Sequence, residues 1–286
     1  MLTSLHRVLW PIAGFTKGDM VDYYDAVADA LLPHIAGRAL TLGRFPRGVD
    51  APGFAQTECR GRPAWMATRA IQLRDGRVRE YCVVEDRRSL RWVANQSAIE
   101  LHPFLARGDR HDEPTHVVLD LDPGPGAGVL DCCRVALRAR ALLDAEHALQ
   151  SFVKTSGSVG LHVIVPLNAQ HRYADTKPFA REVAARLAAE DPARVTDRAR
   201  RPDRAGRVLV DWLGNDASRS TVAAYSLRAT DLPTVSTPIT WEEVERALAD
   251  SNAEPLRFTA PHVVRRLNAN GDPLAPALTM RQRLSR

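Results

Sequence analysis

Between residues 116 and 213 the chain alternates short β-branched runs with longer amphipathic stretches, and no long linker interrupts the series. HVVLDLD (116–122), SFVKT (151–155), LHVIVPL (161–167) and RVLVDWL (207–213) are strand-like, whereas 129–149 and 175–189 read as helices. A two-residue period places alternate side chains on opposite faces of a strand, and a 3.6-residue period gives a helix one apolar face. A chain of this pattern has to lay its helices against a sheet, on one or both faces, which makes it an α/β (α+β) protein. With 286 residues, 45% of them hydrophobic, it can bury a substantial core as one large domain or two smaller ones. No internal repeat or low-complexity tract is visible.

The N-terminal third, 1–107, reads as an α/β module without a catalytic motif of its own. Thr16 can cap a helix with Asp19 in its first turn, and Met20, Tyr24, Val27 and Leu31 form one apolar face of a helix ending by Gly37. Strands are expected around 39–42, 70–73 and 81–84, and 89–102 is a helix or a helix-strand junction. Near the C-terminus, Thr240 and Glu243 supply a capping box for one more helix.

No apolar run approaches the roughly 18 residues that cross a bilayer, and the N-terminus lacks the parts of a signal peptide, so a soluble intracellular protein is expected. Cys59, Cys82, Cys132 and Cys133 show no C-x-x-C spacing, which points to reduced thiols and not to zinc or a disulfide framework. The net charge of +5 permits a polyanionic partner. Lysine occurs only at Lys17, Lys154 and Lys177, so the positive charge is almost all arginine. The densest cluster, 194–207, holds six arginines against two aspartates and is either a solvated loop or a phosphate-facing surface.

The chemistry concentrates at strand ends. In HVVLDLDPGPG, Asp120 and Asp122 lie two apart on a strand and so point to one side, with Leu119 and Leu121 on the other. Two converging carboxylates repel each other unless a cation compensates them, and Mg²⁺ is typically held by one or two carboxylates together with substrate phosphates. A solvated pair closing a strand before a Pro-Gly turn is the other reading. Asp211 ends a second apolar strand, RVLVD, and could complete a three-carboxylate site of the kind that clamps two metals about 3.5–4 Å apart for phosphoryl displacement. KTSGSVGLHV (154–163) joins two strands through small residues, and its Ser156, Ser158 and His162 could face a phosphate, although a plain hairpin uses the same residues. Arg219 and Arg228 flank a β-like segment soon after Asp211 and suit phosphate through paired charge-assisted hydrogen bonds, or are simply solvated.

Taken in order, LTSLHRVLWPIAGFTKGDMVDYY, GVD, IELH, VVLDLDPG, TSGSVGLH, RVLVDW and YSLR resemble the polymerase domain of bacterial ligase D, within the archaeo-eukaryotic primase superfamily. The likeness runs from about residue 2 to about residue 248, and the chain is similar to free-standing primase-polymerases. The resemblance implies a single primase-polymerase domain over 1–286. Within it, an RRM-like catalytic sheet at 108–250 stands beside the N-terminal module, and 251–286 forms a C-terminal extension. It implies template-dependent nucleotidyl transfer that fills short gaps or extends ends in DNA repair such as non-homologous end joining. Two Mn²⁺ or Mg²⁺ ions and nucleoside triphosphates, with ribonucleotides favoured, would be used. By position, Asp120, Asp122 and Asp211 would hold the metals, and Ser156, Ser158, Gly160 and His162 would receive the triphosphate, with His102 and Arg228 nearby. Arg7 and Lys17 would grip a 5′-phosphate beyond a gap, and Phe54, with Arg44, would meet template DNA. Implied partners are gapped or broken DNA, a separate ligase and Ku, with no membrane, in the bacterial cytoplasm at the nucleoid.

The chain departs from the family pattern at Val159 and Gly43, where lysine is usual, at Ala55, where a second aromatic is usual, at Gly214, where glutamine is expected, and at Arg7, which replaces lysine. These changes leave two other readings open: a non-catalytic protein that binds DNA ends, and a metal-dependent nuclease or phosphohydrolase using the same carboxylates.

Overall fold

The computed structural model describes residues 2–73, 75–168 and 171–284. The chain divides into two compact units, and each is assembled from three separate segments. The first comprises Met1–His111, Ser220–Ser236 and Phe258–Asp272. It opens with a hairpin of β1 (Val8–Trp10) and β2 (Phe15–Thr16). The expected helix starts as read: Thr16 Oγ1 accepts the Asp19 N–H and the Asp19 carboxylate accepts the Thr16 N–H. It divides at Val27, however, into α1 (Lys17–Ala26) and α2 (Ala28–Ile35). Val27 leaves the helical region (ψ 3°), so its N–H ends one helix on Tyr23 O while its own carbonyl begins the next. Met20, Tyr24, Val27 and Leu31 are all buried.

Behind these helices β3 (Ala39–Arg44), β4 (Phe54–Gln56), β5 (Thr68–Gln72) and β6 (Val78–Val83) form an antiparallel sheet in the order β4-β3-β6-β5. The segment 89–102 is a junction: α3 (Arg87–Asn95), capped by Asp86, gives way at Ser97 to β7 (Ala98–Pro103), which pairs with β3. One expectation fails here. Cys59 and Cys82 form a disulfide, because the Cys59 N–H bonds to Glu80 O and draws the loop after β4 alongside β6, leaving the two Cα atoms 4.8 Å apart. Cys132 and Cys133 are free, buried thiols.

The second unit comprises Asp112–Arg219, Thr237–Arg257 and Pro273–Arg286. Its elements are β8 (His116–Pro123), α4 (Val129–His147), β9 (Phe152–Thr155), β10 (Leu161–Pro166), α5 (Tyr173–Glu190), β11 (Val195–Thr196), β12 (Val208–Asp211), β13 (Pro238–Ile239) and α6 (Trp241–Ala249). The sheet runs β11-β12-β8-β10-β9-β13. Its central four strands are antiparallel neighbours, and the chain visits them as βαββαβ, which is the RRM-like arrangement. The helices α4 and α5 pack against β8 and β12, burying Leu119 and Leu121 almost completely. Asp120 and Asp122, on the alternate face, keep about a third of their side chains accessible (33% and 38%). The capping box of Thr240 with Glu243 starts α6 as read from the sequence. Among the described residues no helix is long and apolar enough to cross a membrane.

Candidate active site

Strand register builds the centre of the site. Asp211, the last residue of β12, lies directly opposite Asp120 of β8, and Leu209 lies opposite Asp122. Residues facing one another in an antiparallel pair share a face, with Cβ atoms about 4.5–5.5 Å apart. Asp120, Asp122 and Asp211 therefore emerge from one face of two adjacent strands. On the other side of Asp120, β10 places His162 in the same row, with its Nε2 3.3 Å from Asp120 Oδ1. The row continues into β9 at Lys154, which is buried. A two-residue period read along one strand cannot find this row, because it crosses four strands; Lys154 carried no functional signal in the sequence.

Asp211 and Asp122 each have a close polar neighbour. The Leu213 N–H donates to Asp211 Oδ1 at 2.8 Å, an Asx turn formed as the chain leaves the strand. An Arg204 Nη atom lies 4.0 Å from Asp122 Oδ2. The 201–204 turn of the arginine-rich segment is thus docked beside the site, while Arg194, Arg198, Arg200 and Arg201 are exposed. The Pro-Gly run after Asp122 makes the docking possible: Gly124 N–H bonds to Arg207 O, Gly206 N–H bonds to Pro125 O, and a Cβ at Gly124 would collide with the Arg204 carbonyl.

The Ser/Gly turn between β9 and β10 is internally organised. Ser156 Oγ accepts the N–H groups of Ser158 (3.2 Å) and Gly160 (3.0 Å), and the Ser156 N–H donates to Gly160 O. Two backbone donors that a phosphate could have taken are thus used within the turn. Gly160 approaches Leu121 O so closely that no side chain fits there, and it lies beside Asp122. Val159 is 60% exposed.

The remaining expected residues lie in the first unit and fall into two clusters. Lys17 is buried and its ammonium donates to Thr3 O at 2.7 Å. Burial first, and then the nearby charges of Arg7 and Arg44, hold its pKa below the usual lysine value. An anion placed among these three cations would relieve their repulsion. Arg44 in turn lies 5.4 Å from the centre of the half-exposed Phe54 ring, its partner across β3 and β4, and donates to Gln96 O. The second cluster joins His102 and Arg228 through a residue that sequence reasoning missed. Glu100 meets His102 Nε2 at 2.9 Å, and it accepts hydrogen bonds from Arg228 Nε and the Ala229 N–H, both at 3.0 Å. Burial alone would raise its pKa, but His102 and Arg228 outweigh it and hold the carboxyl at about 2. Gly43 lies opposite Glu100 in the sheet, and a Cβ there would stand 2.8 Å from Glu100 Cβ, so a side chain at this position would force Glu100 to shift.

Three carboxylates on one face offer a donor set of hard oxygens, which suits Mg²⁺ or Mn²⁺. Among the described residues no three His, Cys, Asp or Glu side chains are already drawn around a single point. Backbone placement and donor chemistry fit a divalent ion, and the side chains would complete the closure around it.

Comparison with known proteins agrees with this geometry. The family model described as "LigD, primase-polymerase domain" matches residues 16–274. The "Multifunctional non-homologous end joining protein LigD" of Mycolicibacterium smegmatis is 38% identical over 278 residues, covering 96% of this chain and 35% of that protein. The "Bifunctional non-homologous end joining protein LigD" of Bacillus subtilis is 30% identical, covering 95% of this chain and 43% of that protein. The chain thus spans well under half the length of these relatives. The solved structure of the "Polymerase Domain from Mycobacterium tuberculosis Ligase D in complex with DNA" superimposes with a TM-score of 0.90 at 35% identity, over 99% of both chains. With a family model over most of its length and a near-complete structural counterpart, the chain belongs to the LigD primase-polymerase domain family.

Proposed function

We propose that this chain is a template-dependent nucleotidyltransferase that fills short gaps and extends ends of DNA during break repair, as in non-homologous end joining. The observation that carries this reading is the register that sets Asp211 against Asp120, with Asp122 on the same face. Asp120, Asp122 and Asp211 would hold two Mn²⁺ or Mg²⁺ ions. When bound, such a pair supplies a more acidic 3′-hydroxyl and charge neutralisation for departing pyrophosphate. His162, whose Nε2 lies 3.3 Å from Asp120, and Ser158 would meet the triphosphate. His102 and Arg228, locked on Glu100, would serve as nucleotide-binding groups. Arg7, Lys17 and Arg44 would take the 5′-phosphate of the downstream strand, and Phe54 would stack on a template base, a contact worth about 1–3 kcal/mol per base. A ligase would seal the product and Ku would present the ends, at the nucleoid in the bacterial cytoplasm.

The test is nucleotide incorporation on gapped DNA carrying a 5′-phosphate, with Mn²⁺ and ribo- or deoxyribonucleoside triphosphates. Asp122→Ala should lower incorporation by at least about a hundredfold, the scale expected when a group acting directly on the reacting phosphate is lost; full incorporation by that variant removes the metal assignment. The exposed Val159 favours one second reading, a DNA end-binding protein without catalysis. Binding of the gapped DNA with no incorporation of any nucleotide would establish that reading, and shortening of the DNA would instead mark a nuclease.

A further inference from the structure

Asn215 is completely buried in the second unit, four residues after Asp211. Its Oδ1 accepts the Val118 N–H at 2.9 Å, and its Nδ2 donates to Val118 O at 2.7 Å and to Trp212 O at 3.0 Å. Taking both the N–H and the C=O of one residue is what a facing residue does in an antiparallel ladder. Here a side chain does it. β12 pairs with β8 from Val208 opposite Pro123 to Asp211 opposite Asp120, and the next two steps of that register would bring Leu213 opposite Val118. The backbone does not make that rung, because it turns at 213–214 and the Leu213 N–H is spent on Asp211 Oδ1. The amide of Asn215 fills the rung in its place, two residues along β8 from Asp120.

We propose that Asn215 is a positioning residue for the Asp211 carboxylate. This rests on the reading of Asp211 as one of the ion-holding groups. Asp211 ends a strand of four residues, and a strand end frays unless the chain beyond it is fastened. Asn215 fastens it to the strand that carries Asp120 and Asp122, and its bond to Trp212 O fixes the intervening turn from which Leu213 orients Asp211. The next residue is anchored separately: Asp216 accepts from Lys177 Nζ at 2.6 Å and from Ser218. The chain on the far side of Asn215 therefore stays attached when Asn215 is changed, and the segment loosened from β8 is 212–214, which keeps the backbone bond of the residue-215 N–H to Trp212 O at 3.2 Å.

The experiment uses the full chain and Mn²⁺ alone as probe, with bound ion measured by loss of the free Mn²⁺ electron paramagnetic resonance signal. Asn215→Ala should weaken Mn²⁺ binding by about 10–100-fold, the usual cost of removing a group that orients a metal ligand. Incorporation should fall at low Mn²⁺ and recover as Mn²⁺ is raised, while binding of 5′-phosphorylated gapped DNA stays within about twofold of the parent, a change of no more than about 0.4 kcal/mol. A merely structural lesion lowers DNA binding as well and is not rescued by ion, and that result overturns the proposal. If Asn215→Ala does not fold, Asn215→Ser, too short to span both Val118 groups, carries the same expectations. A folded variant that binds Mn²⁺ like the parent overturns the positioning role. Asp211→Ala separates the two layers: unchanged Mn²⁺ binding there removes the carboxylate reading itself, whereas weakened binding there with Asn215→Ala unaffected removes only this proposal.

Discussion

Glu100 stays ionised in a half-buried setting because an imidazole and a guanidinium converge on it, and this has a measurable cost in acid. Its folded pKa, about 2, lies below the unfolded value near 4.5. A carboxyl depressed in this way contributes stability that is complete above the unfolded value and drains away as the pH falls through that window towards the folded one. The contribution is up to about 3 kcal/mol, since each tenfold change in proton affinity is worth about 1.4 kcal/mol. Glu100→Gln should therefore flatten the fall in unfolding free energy between pH 4.5 and 2, followed by urea denaturation at fixed pH. In the proposed enzyme the same change should raise KM for the nucleoside triphosphate more than it lowers kcat, because His102 and Arg228 lose the carboxylate that holds them in place. Equal profiles for parent and variant would remove the bridging role. At this scale the sequence was legible where chemistry repeats in a local pattern, as in the two aspartates of LDLDPG. It was silent on Glu100, whose alternation in AIELHP reads as ordinary strand and whose partner Arg228 lies 128 residues away.

Elements with strong periodicity declared themselves, and those built by contact did not. α4, α5, α6 and the strands β8, β10 and β12 follow their hydrophobic patterns closely, which is why an α/β sheet could be anticipated from the residues, while its RRM-like order came from the family resemblance. The two-residue strands β2, β11 and β13 have too few positions to show a period. The Cys59–Cys82 bond was likewise hidden, since 23 residues separate the pair and only the loop's path along β6 unites them. Turns held by a close approach lie between these cases: glycine is legible, and its neighbour is not. The turn after Asp122 illustrates the point, because Gly124 admits the Arg204 carbonyl. Gly124→Ala should push the arginine-rich turn away and cost about 1–3 kcal/mol, the range for a forced backbone shift. Chemical denaturation should show that loss, and incorporation should change more than for Gly128→Ala, where a Cβ meets open space. Gly160→Ala, whose Cβ would strike Leu121 O, should be at least as damaging as Gly124→Ala. Equal stability of the Gly124 and Gly128 variants would mean that the two loops are not held as described.

For the molecule as a whole, 39 basic side chains against 34 acidic ones leave a net charge of only +5, too little to hold DNA by general attraction. Affinity then has to come from places where like charges are forced together. The cluster of Arg7, Lys17 and Arg44 is such a place, and the depressed pKa of Lys17 reports the burial and repulsion that a bound phosphate would relieve. Binding to gapped DNA should accordingly depend on the 5′-phosphate and weaken with salt on a shallow slope. Three cations, each offsetting at most about one phosphate charge, give a logarithmic slope no steeper than about −3, whereas a protein covering many phosphates reaches about −10. Lys17→Met should weaken binding by a similar factor on every DNA sequence and make the slope shallower by about 1, because a phosphate contact carries no base information. The same substitution removes a buried charge from beside two others, so the free protein should become no less stable and bind less, a separation that thermal melting and fluorescence anisotropy would read together. A slope steeper than about −6 in the parent would mean that the arginines of 194–207 also reach the backbone, and that the three-cation cluster is a minor part of the DNA grip.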